Sequence, residues 1–106
     1  VTLVPLPGHT PGHSGFRIAG GSGPDLLMWT DVTHMADIQV PRPEVTIGFD
    51  VDPDQARATR ARVFDEVATD RLVVAGMHLN MPGFLTLERQ GAGYAKIDLP
   101  WTPALL

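Results

Sequence analysis

The feature that most limits the fold is residues 26–30 (LLMWT), a strand-length segment that is apolar without alternation. A strand of this kind is covered on both faces, so the segment requires more than one layer of structure. Residues 72–76 (LVVAG) form a second segment of the same character. Because 106 residues is one domain's worth at most, we predict that residues 1–106 belong to no more than one domain, built on buried strands.

A helix is predicted between these two strands, over residues 52–68. Asp52 fits the N-cap position, Pro53 supplies the fixed φ of the first turn, and Gln55 is placed to reach back to the cap. The helix then carries one apolar stripe, which consists of Ala56, Val63, Phe64 and Val67.

Two more strands are predicted near the start of the chain, at residues 1–6 and 15–20, with a glycine-rich turn at residues 20–25. Pro5 places the first of them at an edge of the sheet or at the end of a strand, because proline cannot donate to the hydrogen-bond ladder. Together with the buried strands, they predict a sheet that carries one helix.

The second half of the chain adds a hairpin and a long loop. Residues 83–99 predict a β-hairpin that turns at residues 91–93. Residues 34–49 are irregular, since Pro41 and Pro43 interrupt them. A loop of this length is too long for a plain connector in a compact domain, and such loops often carry function.

Charge and composition exclude several classes of function. The net charge is −4, and no basic run alternates with aromatic residues, which argues against a nucleic-acid partner. We interpret Arg57, Arg60 and Arg62 as a solvated helix face rather than as a basic patch for an anionic ligand. No apolar run approaches the ~20 residues that span a bilayer. The absence of cysteine excludes disulfides and thiolate ligands but fits any compartment, whether cytoplasmic, periplasmic or secreted.

Three predicted strands run out into side chains that bind metals. His9 and His13 follow the first strand, Asp31 follows residues 26–30, and His78 follows residues 72–76. In α/β sheets, ligands gather at the carboxyl ends of strands, where loops converge above a rigid platform. Imidazole and carboxylate are the donors that zinc, iron or manganese accept when thiolates are absent. The spacing therefore predicts a metal site.

Other interpretations of these residues are open at this point. His78 alone fits a hydrogen-bonded loop histidine, and Asp31 alone fits a turn or cap residue. His9 and His13 are four residues apart, but Pro11 and Gly12 lie between them and disfavour a helix. The pair is therefore not a helical His-x-x-x-His zinc motif. We expect one of the two to turn inward while the other supports the loop.

The motifs GHTPGHSGF, WTDVTH and GMHLNMPGF resemble, in order and separation, the third to fifth metal-binding motifs of the metallo-β-lactamase-fold hydrolases. The context is most similar to the branch with lactonases and methyl-parathion-type organophosphate hydrolases. The resemblance implies that His13 is a ligand of one metal, Asp31 the catalytic carboxylate that bridges two metals, and His78 a ligand of the other. It implies that His9 supports the loop without ligating. For His34 three roles are open, namely lining the pocket, supporting the ligands or a merely structural one.

The family's His-x-His-x-Asp-His motif, which belongs to the N-terminal half of the fold, is absent from the sequence. The resemblance therefore implies the C-terminal half of a four-layer αββα fold, one mixed sheet with its covering helix. The chain begins at Val1 inside an apolar run, and we expect it to be a piece of a longer chain. We also expect the exposed sheet face to be covered by the missing N-terminal half or by a second copy of the chain.

By the family mechanism, the intact protein would use two divalent ions, zinc or else iron or manganese, to hold a bridging hydroxide. This hydroxide would attack an ester, lactone or organophosphate substrate, a small molecule. We expect His13, Asp31 and His78 to approach one another with His9 turned aside, and the isolated chain to be inactive. The alternative is a free-standing, non-catalytic half-domain that self-associates or binds a partner.

Overall fold

A computed structural model describes residues 1–100, so residues 101–106 of the predicted domain lie outside the described residues. Within this range, six strands form one mixed sheet in the order β1-β2-β3-β4-β5-β6, accompanied by one long and one short helix. This confirms the prediction of an α/β fold with one mixed sheet and a covering helix. The elements are β1 Thr2–Pro5, β2 Ser14–Ile18, β3 Leu26–Thr30, α1 Ala36–Gln39, α2 Pro53–Asp70, β4 Val73–Gly76, β5 Phe84–Gln90 and β6 Gly93–Asp98.

The sheet contains one parallel pair among the described strands. β3 pairs with β4 in parallel, and the four other neighbouring pairs are antiparallel. The connection from β3 to β4 is a crossover that contains both helices. Since parallel strands end at the same edge of a sheet, the segments after Thr30 and after Gly76 begin side by side. β1, with Pro5, lies at the edge of the sheet as the sequence predicts.

The predicted start of helix α2 is confirmed. The Asp52 carboxylate accepts a hydrogen bond from the Gln55 N–H at 3.0 Å, and the helix ends at Arg71, which has a left-handed φ of 54°. In a capping box, the Gln55 side chain would accept from the Asp52 N–H. The structure differs here, because the Asp52 N–H donates to the Gly8 carbonyl at 3.0 Å. The helix start is thereby tied to the loop after β1.

Asp52→Ala is expected to lower the free energy of unfolding by about 1 kcal/mol, because it removes the N-cap acceptor. Urea unfolding followed by circular dichroism measures this loss. Asp54→Ala is the matched control, since Asp54 is an exposed carboxylate of the same helix turn, and its loss is expected to stay within about 0.5 kcal/mol. Equal losses for the two variants would contradict a capping role of Asp52.

One face of the sheet and the apolar stripe of α2 form the core. Val63, Phe64 and Val67 are fully buried against sheet residues that include Leu27, Trp29, Val74 and Leu85. The rings of Trp29 and Phe64 lie 5.4 Å apart. The predicted stripe is therefore confirmed as the helix face that contacts the sheet.

Arg60 corrects the interpretation of the helix arginines as solvated. Its side chain is buried, with 1% of the residue exposed. The guanidinium donates to the carbonyls of Val32, Pro43 and Val45 at 2.8–2.9 Å. Burial lowers the pKa of Arg60, while the charge of Asp50 acts in the opposite direction. Arg60 thus fastens the long crossover loop to α2 from inside the protein.

The second face of the sheet is not covered by the helices. Across five strands, one row of neighbouring apolar residues occupies this face, and Leu3, Phe16 and Phe84 in it are 58%, 39% and 42% exposed. β3 and β4 were predicted to be buried on both faces, and within residues 1–100 they are covered on one. The apolar row consists of Leu3, Phe16, Met28, Ala75 and Phe84.

The segment at residues 34–49 is more ordered than its prolines predict. Helix α1 forms one turn within it, and the fully buried Gln39 at its end is bonded to the surrounding backbone. The helices of the described residues include none with the length and apolar character needed to cross a bilayer.

Candidate metal centre

The candidate site lies where β3 and β4 end and where the loop after β1 approaches them. Asp31 directly follows β3, and His78 lies two residues after β4. Both neighbouring backbones are unusual, since Thr30 has a φ of 51° and His78 a φ of 61°. Side chains other than glycine adopt this left-handed region at a cost, and such positions concentrate at functional sites.

Asp31 and His78 are brought together as predicted. His78 Nε2 lies 3.2 Å from Asp31 Oδ1. The ring of His34 lies tilted against the ring of His78, and their centroids are 4.8 Å apart. One potential ligand atom from each of Asp31, His34 and His78 lies within 4.8 Å of the others. We refer to these three residues as the Asp31 triad.

His9 forms a cluster with the three residues of the Asp31 triad, which differs from the expectation that it turns aside. Its Nε2 is 3.8 Å from Asp31 Oδ2, and its ring centroid is 4.6 Å from that of His34. Its Nδ1 bonds the Asp50 carboxylate at 3.1 Å, and the side chain of Asp50 is 1% exposed. A buried carboxylate that accepts from Nδ1 fixes the ring and leaves Nε2 free to face the site.

Asp50 was not predicted as a site residue. It lies 41 positions from His9 in the chain, within an irregular segment, so no local pattern connects the two residues. Asp50 also accepts from the Ile47 N–H at 3.3 Å, which holds the carboxylate in place.

His13 lies next to the backbone of Asp31, and protein groups engage both of its ring nitrogens. Nδ1 bonds the Leu6 carbonyl at 2.6 Å, so Nε2 carries a lone pair. Nε2 accepts from the Asp31 N–H at 3.1 Å and lies 2.6 Å from the Thr30 hydroxyl. His13 is thus close to the backbone of Asp31 rather than to His78, and its role as a metal ligand stays a prediction.

Two buried atoms that could bind a metal, one of them on His34, have no hydrogen-bond partner within residues 1–100. The Nδ1 of His34 is buried and makes no hydrogen bond, and the same holds for Asp31 Oδ1, whose contact with His78 lacks hydrogen-bond geometry. Burial, followed by the charges of His9 and His78, lowers the pKa of His34. A lowered pKa favours the neutral imidazole, which is the form that binds metals.

The donor set fits a divalent metal. Neutral imidazoles and a carboxylate are ligands of zinc, iron and manganese, and two atoms of the Asp31 triad are buried without a partner. His9 adds a further Nε2 at the edge of the triad, oriented by Asp50. These residues would hold an ion between the ends of β3 and β4.

Similarity to solved structures identifies the fold. The hydrolase AbOPH of the beta-lactamase superfamily matches 95% of this chain with a TM-score of 0.90 and 28% identity. The fold is that of the metallo-β-lactamase superfamily. AidC, a dizinc quorum-quenching lactonase in complex with the product N-hexanoyl-L-homoserine, matches 95% of the chain with a TM-score of 0.89 and 27% identity. The superfamily resemblance of the three motifs is thereby confirmed.

The match covers only part of the two metallo-β-lactamase-fold structures. The chain spans 35% of AbOPH and 34% of AidC, about a third of each. No family model and no curated protein sequence matches the chain. The six-stranded sheet with its one main helix is thus a partial metallo-β-lactamase fold, as the sequence predicted.

A cavity of about 370 Å³ opens beside the triad of this partial fold. His34 and His78 line it together with five apolar side chains and four polar ones, Asp37, Asn80, Lys96 and Asp98, and Lys96 pairs with both Asp37 and Asp98. This volume suits a small molecule. The apolar lining comprises Met35, Ala36, Ile38, Leu79 and Leu85.

Proposed function

We propose that the chain is the C-terminal part of a binuclear metal-dependent hydrolase that acts on ester, lactone or organophosphate bonds. The observation that carries the proposal is the convergence of Asp31 and His78 at the adjacent ends of β3 and β4. It occurs in a fold shared with superfamily hydrolases, one of which is a dizinc lactonase. Zinc is accordingly the proposed metal, with iron or manganese as other ions that the same donors accept.

The residues of this chain would position the ions and the substrate. Bound divalent ions would supply Lewis-acid polarisation and would lower the pKa of a water molecule. Asp31 would hold both ions and His78 one of them; His13 would hold the other through Nε2, which in this structure accepts from the Asp31 N–H. His9, fixed by Asp50, faces Asp31 Oδ2 and would keep that carboxylate in place. The cavity next to His34 would receive the substituent of the substrate.

The three proposed ligands of this chain leave each of two ions with about two protein ligands. Catalytic zinc sites keep about three, so the remaining ligands would come from residues outside this chain. The predicted N-terminal His-x-His-x-Asp-His motif would provide them. The chain by itself would then be inactive.

A non-catalytic half-domain is the second candidate, and the exposed apolar row favours it. Leu3, Phe16 and Phe84 lie on one open sheet face. Contiguous apolar surface of this kind is typical of an interface between chains. A second copy of the chain on this face would support self-association, whereas a missing segment of a longer protein on it would support the hydrolase.

Metal analysis and a substrate panel test the hydrolase. The complete protein in which these residues occur is expected to hold two metal ions per molecule and to hydrolyse at least one ester, lactone or organophosphate. Residues 1–106 alone, assayed in parallel, are expected to hold fewer than two ions and to show no turnover. A complete protein that hydrolyses none of these classes, or an isolated chain that retains two ions and turns over a lactone, would refute the proposal.

A further inference from the structure

We propose that Gln39 is a positioning residue that sets the width of the cavity beside the Asp31 triad, and through it the size of the substituent that the cavity accepts. Residues 34–38 form one side of this cavity and all line it, and we call this segment the cavity wall. The inference rests on the proposed function only where it concerns the size of a hydrolysed substrate. Binding of a small molecule in the cavity tests it independently of hydrolysis.

The cavity wall has little stability of its own. Helix α1, which forms most of it, is a single turn, and a helix this short is marginal without contacts from outside. The first N–H groups of a helix have no intrahelical acceptor, and the side chain of Met35 at the N-cap supplies none. Other residues must therefore satisfy these groups and fix the wall.

The side chain of Gln39 supplies these contacts. It is fully buried, and its Oε1 accepts from the N–H groups of His34 and Met35 at 2.7 and 3.1 Å. The Gln39 N–H donates in turn to the Met35 carbonyl at 2.8 Å. One residue thus joins the start of the wall to its end.

Gln39 also connects the cavity wall to helix α2. Its Nε2 donates to the Val45 carbonyl at 3.1 Å, and the buried guanidinium of Arg60 on α2 donates to the same carbonyl at 2.8 Å. Buried polar networks whose atoms have partners rigidify the residues that they join. The wall is therefore held from the protein interior.

The contacts on the outer side of the wall are weaker. Asp37 pairs with Lys96 at 3.2 Å, but its side chain is 74% exposed, and exposed ion pairs contribute little. The Tyr94 N–H donates to the Val40 carbonyl at 3.1 Å, beyond the end of the wall. We therefore assign the position of the wall mainly to Gln39.

The other sides of the cavity belong to the sheet and to the segment after β4. Leu85 and Lys96 lie on β5 and β6, and Leu79 follows β4. Because these sides are fixed, the cavity changes width when the wall moves. A displaced wall would cost a long alkyl substituent its contacts with Met35 and Ile38, whereas a methyl group would lose little.

Hexanamide titration of the metal-free 106-residue chain, followed by methyl NMR, tests the inference without hydrolysis. We expect the methyl signals of Ile38 and Leu79 to shift. Gln39→Met, which keeps the length of the side chain but not its polar atoms, is expected to bind at least about threefold more weakly. Gln39→Glu keeps the acceptor oxygen and is expected to lie nearer to wild type. Leu72→Ala is the control with wild-type affinity, since Leu72 is buried at the opposite end of β4.

Amide hydrogen exchange in the unsubstituted chain gives a readout that needs no variant to fold. The N–H groups of His34 and Met35 are expected to exchange at least about tenfold more slowly than in an unstructured peptide, because Gln39 accepts from both. Free exchange at both positions would overturn the inference. Hexanamide that shifts no cavity methyl, or equal affinities of wild type and Gln39→Met, would also overturn it.

In the complete protein, p-nitrophenyl acetate and p-nitrophenyl hexanoate test the selection by size. Gln39→Met is expected to raise KM for the hexanoate at least about fivefold, with kcat and the KM for the acetate within about twofold of wild type. Equal changes for the two esters would contradict a role of Gln39 in selection by size. If the complete protein hydrolyses no ester, lactone or organophosphate, the proposed hydrolase fails, whereas hexanamide binding still decides the role of Gln39.

Discussion

Asp31→Asn in the proposed intact hydrolase is expected to lower the initial rate at saturating metal by about a thousandfold, the upper range for removal of one electrostatic group from an active site. Asparagine keeps the shape of the side chain but removes the negative charge that would hold two cations close together. The amide also presents only one oxygen, whereas both carboxylate oxygens face imidazoles of the cluster, His9 and His78.

His34→Ala is expected to cost the proposed intact enzyme less than Asp31→Asn, because Asp31 would hold both ions whereas His34 would line the cavity. Rates measured on both variants with the same substrate, together with their metal content, check the order. Asp54→Asn is the control, since its exposed carboxylate lies in the first turn of α2 and outside the cluster. Equal rate losses in Asp31→Asn and His34→Ala would place His34 in the catalytic set.

Arg60→Met is expected to lower the free energy of unfolding by about 3–5 kcal/mol, the cost of breaking a buried charged network by removing one partner. The substitution leaves the carbonyls of Val32, Pro43 and Val45 without their donor. It also leaves the buried carboxylate of Asp50 without the nearby positive charge. Urea unfolding of the 106-residue chain measures the loss.

Arg57→Met is the matched control for Arg60→Met. Arg57 lies three residues earlier on α2 and is half-buried, with its guanidinium paired to Asp54 and donating to the Glu44 carbonyl at 2.9 Å. Exposed pairs of this kind contribute about 0–1 kcal/mol. Arg60→Lys keeps the charge but offers fewer donors in a fixed fork, so its stability is expected between those of wild type and Arg60→Met. Similar midpoints for Arg57→Met and Arg60→Met would show that the buried bonds contribute little.

The elements that local pattern defines were predictable. The strands β3 and β4 follow from unbroken apolar runs, and the start of α2 follows from Asp52 and Pro53, because capping acts within one turn. The burial of Arg60 was also indicated by local spacing, although its charge favoured the interpretation as a solvated residue. Ala56, Arg60 and Val63 or Phe64 follow at helical spacing, so Arg60 lies within the apolar stripe.

The arrangement of the cluster was predictable only in part. Asp31 and His78 meet because each follows one strand of a neighbouring pair, which the strand-end argument anticipates. The placement of His9 depends on Asp50, which is distant in sequence. The left-handed φ of His78 has only a weak signal in the residue type, since histidine adopts this region more often than most residues other than glycine. Tertiary contacts decide these details, and sequence spacing does not encode them.

The parallel pairing of β3 with β4 has a consequence for the order of folding. The hairpin of β5 and β6 and the helix α2 need only contacts between residues close in sequence, whereas β3 meets β4 after a crossover of 42 residues, 31–72. Contacts of such long separation form late because the chain must first be closed into a loop. Asp31 and His78 lie just beyond the two ends of this crossover. An ion would therefore meet both of these side chains only in the native chain, so bound metal is expected to slow unfolding and to leave the rate of folding nearly unchanged.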